Sequence, residues 1–381
     1  MGSPELALAV NAGSSSLKWA LFTFDAHPEA VVRESVGDPP RLAAPRLLDW
    51  LEARAGAGRL AAIGHRIVHG GPLHQQPERI TPALRGALAD LVRFAPNHLP
   101  DELMLVDALG RAAPDVPQVA CFDTAFHRDL PAVARRLPIP RRYDEQGVRR
   151  YGFHGLSYAF LLEELRRLGG PEADGKVVLA HLGNGSSLAA VHRGRSLDTT
   201  MGFTPMGGVV MSTRSGDLDP GVATSIARHD AMDAEGLERL LGREAGLAGI
   251  SGTTGDMRTL LEREPYDEAC ALAIESYVYS VRKAIGALAA VLDGVDTLVF
   301  SGGIGERAAR LRARICGGLG HLGVRLDRTR NRASRGVISS EGSRVRVWVI
   351  PTDEEQMIVR LAYGLLRPLR SAAPGAMPDG R

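Results

Sequence analysis

Cysteine is scarce: Cys121, Cys270 and Cys316 are the whole complement in a chain of 381 residues. Three scattered thiols cannot build a disulfide framework, and with no C-x-x-C pair they point neither to structural zinc nor to a dithiol redox centre. Lysine is scarcer relative to arginine. Of 46 basic residues only Lys18, Lys176 and Lys283 are lysines. None stands in a Gly-Lys-Ser/Thr string, so a Walker phosphate loop is excluded. No G-x-G-x-x-G opens a helix in an early βαβ unit, which disfavours a dinucleotide site, and no H-E-x-x-H spacing suggests a tightly held zinc. Charge of one sign is also missing: 46 basic against 44 acidic residues leaves +2, with no basic stripe. A nucleic-acid partner is therefore not expected. No apolar run reaches the roughly 18–20 residues of a membrane helix. Met1-Gly2-Ser3-Pro4-Glu5-Leu6 lacks both a basic leader pattern and the small hydroxyl residue of a myristoylation signal. The expectation is a soluble protein of the reducing cytoplasm.

What is present is an ordinary globular composition, 44% hydrophobic and 24% charged, in a length that suits two domains. The 44 glycines gather at the ends of apolar runs. There they allow sharp turns or close approach to a ligand. Leu6–Val10 stops at Asn11-Ala12-Gly13-Ser14-Ser15-Ser16 and resumes as Leu17–Phe22, with Leu17, Trp19 and Leu21 on one side: strand, polar turn, strand. Val177–Ala180, His181–Ser187 and Leu188–Val191 repeat that arrangement, Ser186-Ser187-Leu188 echoing Ser15-Ser16-Leu17. The echo suggests two related halves. Thr81-Pro82 predicts a helix start. Asp267 to Asp293 predicts a long helix with Ile274, Val278, Val281, Ile285, Leu288 and Leu292 in one stripe, ended by Gly294. Strands are expected at Val295–Phe300 and Val345–Ile350, a helix at Met357–Leu366, and a disordered tail from Ser371. Alternating strands and helices make this an α/β protein.

Three Gly-rich turns, Asn11–Ser16, Gly183–Ser187 and Gly302–Glu306, follow strands, where backbone N–H groups can face an anion such as phosphate. Lys18 stands just beyond the first. Arg66, among apolar residues and glycines in Ile63–Gly71, and Arg214, among small residues in Met211–Asp217, could each grip a carboxylate or phosphoryl group with a planar fork. Asp123 ends the apolar run Val119–Phe122, and His154 lies in Tyr151-Gly152-Phe153-His154-Gly155. Magnesium needs few protein oxygens, which Asn11 and Glu354 could provide.

Taken in order, Asn11–Lys18, His65–Gly71, Phe122–His127, Tyr151–Gly155, His181–Ser187, Ser212–Gly221, Gly303–Glu306 and Pro351–Glu355 resemble the acetate kinases and the wider group of propionate and butyrate kinases. The resemblance runs from about Leu6 to Leu366. It implies two duplicated domains of the actin, sugar kinase and Hsp70 kind with a nucleotide cleft between them: 1–127 plus 356–381, and 128–355, the second carrying nucleotide and dimer contacts. It implies Mg²⁺ (or Mn²⁺) at Asn11 and Glu354, with ATP or ADP as co-substrate. Nucleotide contacts then fall to Ser14, Ser16, Lys18, His181, Leu182, Gly183, Asn184, Gly185, Asp256, Met257, Arg258, Gly303, Ile304, Gly305, Glu306 and Arg307. Arg66 becomes the carboxylate arginine; Asp123, His154 and Arg214 become catalytic. Val68, Asn97, Phe153 and Pro205 line the acyl pocket. The implied reaction is ATP + short-chain carboxylate ⇌ ADP + acyl phosphate, acetate first and propionate next, by a cytoplasmic homodimer.

Two positions depart from the resemblance. Asn97 stands where an apolar residue is expected, and Pro205-Met206-Gly207-Gly208 replaces Pro-Leu-Glu-Gly. An amide in a methyl-sized pocket could favour a hydroxylated or larger acid. Asp123 reads as an orienting group rather than a base, because the acceptor is already ionised near neutral pH. Two rival readings are a sugar or polyol kinase and a non-catalytic ATP-binding module. The arginine pair argues against the first. The intact Asp123, His154 and Arg214, and a chain with no room for an appended peptide-binding domain, argue against the second.

Overall fold

The computed structural model describes residues 4–13, 16–54 and 58–367. Ser14 and the expected tail from Ser371 lie outside the described residues. Two compact units emerge. The first holds the described residues up to His69, Gln76–Phe122 and the segment from Glu354 onward; the second holds Gly70–Gln75 and Asp123–Asp353.

The first unit is built on six strands: β1 (Glu5–Ala12), β2 (Leu17–Thr23), β3 (Ala30–Val36), β4 (Arg59–Ile67), β5 (Glu78–Arg79) and β6 (Gln118–Phe122), in spatial order β3-β2-β1-β4-β6-β5. β1 lies between an antiparallel and a parallel neighbour. Its burial from Leu6 through Ala12 is what a central strand covered on both faces requires. Leu17, Trp19 and Leu21 share the core with Leu8 and Val10, while Lys18 between them is exposed, as the alternation predicts. Thr81 does cap a helix, Pro82–Asp90, its Oγ1 accepting from Leu84 N at 3.2 Å. The last helix, Glu354–Leu366, packs so close to β4 that a Cβ on Gly64 would stand 2.3 Å from Ile358 Cγ2. It begins three residues before the expected Met357, which places Glu354 and Glu355 in its first turn.

The second unit repeats the plan. β7 (Lys176–Leu182), β8 (Ser186–His192), β9 (Arg195–Thr199), β10 (Thr297–Ser301), β11 (Gly336–Val337) and β12 (Arg346–Val349) form a sheet in the order β11-β12-β10-β7-β8-β9. Reading β7 for β1, β8 for β2, β9 for β3, β10 for β4, β11 for β5 and β12 for β6 reproduces the first sheet, including the sense of every pairing. The echo in the sequence is thus one strand-turn-strand unit seen twice. Each turn is closed by its first glycine, Gly13 N donating to Ser16 O at 2.8 Å and Gly183 N to Gly185 O at 3.1 Å.

Alternation sorts this sheet's two faces. Val178, Ala180, Leu188, Leu298 and Val347 enter one core with the long helix; Val177, Leu179, Ala189, Val299 and Trp348 enter another with the Gly155–Gly169 helix. The long helix is Glu268–Val291, capped by Asp267. Its stripe from Ile274 to Leu292 is buried as predicted, each such side chain contributing about 1.5–3 kcal/mol. The helix ends earlier than Gly294: Asp293 takes φ 53° and Gly294 φ 114°. Gly302–Glu306 is also less of a turn than expected. Gly302 alone turns, at φ 75°, and Gly302–Arg307 is a short helix.

Candidate functional site

In sheets of this kind ligands gather at the carboxyl ends of the parallel strands. In the first unit those ends deliver Asn11 from β1 and Arg66 and Val68 from and just past β4. Asn11 is buried, and its amide donates to Glu354 Oε2 and to Glu355 Oε1, each at 2.8 Å. Two carboxylates converging on one amide form a compact set of hard oxygen donors, the chemistry that suits Mg²⁺ or Mn²⁺. Arg33 approaches Glu355 at 3.8 Å. Arg66 Nη1 donates to Ala12 O at 2.7 Å and lies 3.8 Å from Glu102. Glu102 is buried, and its other oxygen accepts from Val68 N at 3.0 Å. One buried acid thus steers both the arginine and the backbone at Val68, a role the sequence reading missed. Its signal was an acid on a buried helical face. Val68 is buried, Lys18 is exposed, Ser16 is half-buried, and Asn97 is exposed ahead of the Leu99–Ala112 helix.

In the second unit the structure gathers His154, His181, Gly183, Gly185 and Arg214. A Cβ on Gly185 would stand 3.3 Å from His154 Nε2 and 3.4 Å from Arg214 Nη1; one on Gly183 would stand 3.8 Å from His181 Nε2 and 3.9 Å from Gly303 N. The glycines leave open a space lined by ring nitrogens, a guanidinium and backbone N–H groups, which suits a phosphoryl group. Arg214 is held by Nη1 donating to Pro205 O at 3.1 Å. His154 adopts φ 60°, ψ 26° at the start of the Gly155–Gly169 helix, a strained conformation for a side chain other than glycine. Its Nδ1 meets Ser187 Oγ at 2.9 Å, and His181 Nδ1 meets Ser157 Oγ at 2.8 Å. Asp123 is buried, and its carbonyl accepts from Gly155 N at 2.9 Å. Phe153 is buried, and its carbonyl meets His127 Nε2 at 3.2 Å. Burial lowers His127 to about 4, against the raising effects of the Phe153 carbonyl and Asp123. The ring is therefore neutral at pH 7.

Around this space stand the other predicted contacts. Leu182 is buried in the core, Asn184 is exposed, and Ile304 packs against the core while Gly303 and Arg307 are exposed. Gly305 is buried. Glu306 acts as a local clasp, its Oε1 accepting from Gly302 N at 3.0 Å and Thr352 N at 3.2 Å, and so fastens the ends of β10 and β12 together. Asp256 caps the Met257–Arg263 helix, accepting from Thr259 N at 2.9 Å and Thr259 Oγ1 at 2.8 Å, and those bonds hold its carboxyl below the usual range. Met257 is buried in the core and Arg258 is exposed. The fully buried Arg312 was not foreseen. It donates to Gly305 O at 2.7 Å and Glu306 O at 2.8 Å, and so carries the Gly302–Arg307 helix from below.

Comparison with known proteins places these observations. The model of a family described as the Acetokinase family matches residues 42–360. An acetate kinase of Rhodopseudomonas palustris is 43% identical over 393 residues, covering 95% of this chain and 98% of that one. The crystal structure of Porphyromonas gingivalis acetate kinase superposes with a TM-score of 0.85 at 33% identity, over 95% of this chain and 100% of that one. A propionate kinase from Francisella tularensis superposes with a TM-score of 0.85 at 32% identity, over 95% of this chain and 99% of that one.

Proposed function

We propose, from the premise that this chain belongs to the acetokinase family, that it transfers the γ-phosphoryl group of ATP reversibly to a short-chain carboxylate, acetate before propionate, giving ADP and acyl phosphate. The observation that carries this reading is the approach of His154 Nε2 and Arg214 Nη1 to the same glycine, Gly185, within 3.3 and 3.4 Å of where its Cβ would be.

The chemistry asks for little more than position and charge. A carboxylate is ionised at pH 7, about two to three units above its pKa, so the nucleophile needs no base. It must be aligned with an anionic phosphoryl group whose charge is neutralised as it spreads over the equatorial oxygens. Arg66, its fork set by Ala12 O and Glu102, binds the acceptor carboxylate. Val68, Asn97, Phe153 and Pro205 bound its acyl group. Arg214 and His154 donate to the transferring phosphoryl oxygens, and Asp123 orients. Lys18, Ser14, Ser16 and His181 to Gly185 hold phosphates, while Asp256 to Arg258 and Gly303 to Arg307 hold the nucleoside. Asn11 and Glu354 hold Mg²⁺, their donor set being the hard oxygens that ion takes. When bound, the ion neutralises charge on the β- and γ-phosphate oxygens. The same reading makes the protein a cytoplasmic homodimer; light scattering on the purified protein tests the dimer.

The deciding experiment is a hydroxamate assay with MgATP, hydroxylamine and a panel of acetate, propionate, butyrate, glycolate and lactate, with glycerol as control. Hydroxamate from acetate or propionate is the expected result. Product from a hydroxy acid alone would move the substrate, and ADP formed with glycerol alone would move the protein to the sugar and polyol kinases.

A further inference from the structure

His154 and His181 lie face to face, with ring centroids 4.3 Å apart and planes inclined by 27°. Two protonated rings at that separation would repel each other, so the way each ring is held decides what the pair can do. Each is tied at Nδ1 to a serine, His154 to Ser187 Oγ at 2.9 Å and His181 to Ser157 Oγ at 2.8 Å. Each serine is tied in turn to a second hydroxyl, Ser187 to the phenol of Tyr158 and Ser157 to Thr352 Oγ1 at 2.9 Å.

The fold explains the pairing. His181 and Ser187 are cross-strand partners of β7 and β8, on the sheet face covered by the Gly155–Gly169 helix, which carries Ser157 and Tyr158. One order of donation gives every hydroxyl in both chains a use for its single proton. Thr352 Oγ1 donates to Ser157 Oγ, which leaves the proton of Ser157 for His181 Nδ1. Burial pushes the pKa of the Tyr158 phenol up, so the phenol keeps its proton and has it to give. When that proton goes to Ser187 Oγ, the proton of Ser187 is left for His154 Nδ1. An Nδ1 that accepts is unprotonated, which places the ring proton on Nε2.

We propose that two parallel hydroxyl relays, Tyr158–Ser187–His154 and Thr352–Ser157–His181, hold the stacked histidines neutral with the proton on Nε2, and that these four hydroxyl residues are positioning residues for phosphoryl transfer. The inference rests on the reading of His154 as a phosphoryl donor given above. The relay explains why that donor works: His154 Nε2 is the ring atom beside Gly185 and Arg214. A proton there attracts a phosphoryl oxygen, whereas a lone pair there would repel it. A neutral ring also donates without placing a second cation beside the guanidinium.

The test is long-range ¹H–¹⁵N correlation on full-length protein labelled at histidine, near neutral pH, with H154Q and H181Q assigning the two rings. Both rings should show the neutral Nε2–H pattern; an Nδ1–H tautomer or an imidazolium in either ring overturns the proposal. Ser187→Ala should mix the tautomers of His154 and lower kcat by about 10- to 100-fold. The KM for ATP should stay within about twofold, because the lost interaction belongs to the transition state. Ser187→Thr, which keeps a hydroxyl, should restore both readouts. A Ser187→Ala protein with an unchanged tautomer and unchanged kcat would overturn the relay. Undiminished kcat in H154Q would instead overturn the catalytic reading of His154, whatever the tautomer.

Discussion

The backbone N–H of Gly155 donates to the carbonyl oxygen of Asp123 at 2.9 Å, and a Cβ on Gly155 would stand 2.1 Å from that oxygen. The contact fixes the backbone of Asp123 against the start of the Gly155–Gly169 helix, and with it the backbone of His154. Gly155→Ala cannot be absorbed by a side-chain shift because the obstacle is backbone. We expect it to cost about 1–3 kcal/mol of stability and to lower kcat, since both neighbours must move. A chemical denaturation curve and a steady-state assay on the same preparation check this; an unchanged midpoint would show that the backbone yields.

Arg66 and Arg214 are held differently, and their removal should be felt differently. Arg66 is steered by Ala12 O and Glu102; with the proposed role of acceptor binder, Arg66→Ala should raise the KM for acetate more than it lowers kcat. Arg214 stands beside His154 Nε2 at Gly185; with the proposed role on the transferring group, Arg214→Ala should lower kcat by about a thousandfold or more. The KM for acetate should then move little. Steady-state kinetics at saturating MgATP separate the two, and the opposite split would exchange the assigned roles.

Much of this site was legible in the sequence, and the limits of that legibility are physical. The two strand-turn-strand units announce themselves because alternation and glycine turns are local signals, and Asn11, Arg66, Asp123 and His181 stand at or next to strand ends where apolar runs stop. β3 escapes such reading: its residues Ala30–Val36 are mostly exposed, so no alternation marks them. The hydroxyl relays escape for another reason. Thr352 lies 195 residues from Ser157 and Ser187 lies 33 from His154, and a serine carries no pattern that says which histidine it will meet. Asn97 shows a third limit. The resemblance places it among apolar pocket residues, and the structure exposes it and buries Leu99, two positions on. The substitution alone could not say which way the side chain would face.

Asn11 brings Glu354 and Glu355 within 2.8 Å of one amide. Removing one charge from this set should weaken cation binding more than nucleotide binding. Glu354→Gln is expected to raise the Mg²⁺ concentration for half-maximal rate by about tenfold or more, on the scale of lost carboxylate ligands. Titrating Mg²⁺ and then Mn²⁺ at fixed ATP checks it. An unchanged Mg²⁺ dependence would place the ion elsewhere.

Stability should fall on the acid side of neutrality for a reason visible in two buried rings. Burial lowers His65, despite its 2.6 Å contact with Gln118, to about 4, and lowers His127 likewise to about 4. Both stay neutral in the folded protein at a pH where an unfolded histidine, with a pKa of about 6.5, takes up a proton. For a base with a depressed folded pKa the penalty is absent above the unfolded value and grows as pH falls towards the folded value. Between pH 6.5 and pH 4 each ring therefore removes about 1.4 kcal/mol of stability per pH unit. At pH 5 that is about 2 kcal/mol for each histidine. His65 lies in the first unit and His127 in the second, so the loss should touch both, and His65→Gln should flatten only part of it. Urea denaturation at pH 7 and pH 5 measures the slope; a midpoint that holds steady over that range would mean that the buried rings are protonated without loss of the fold.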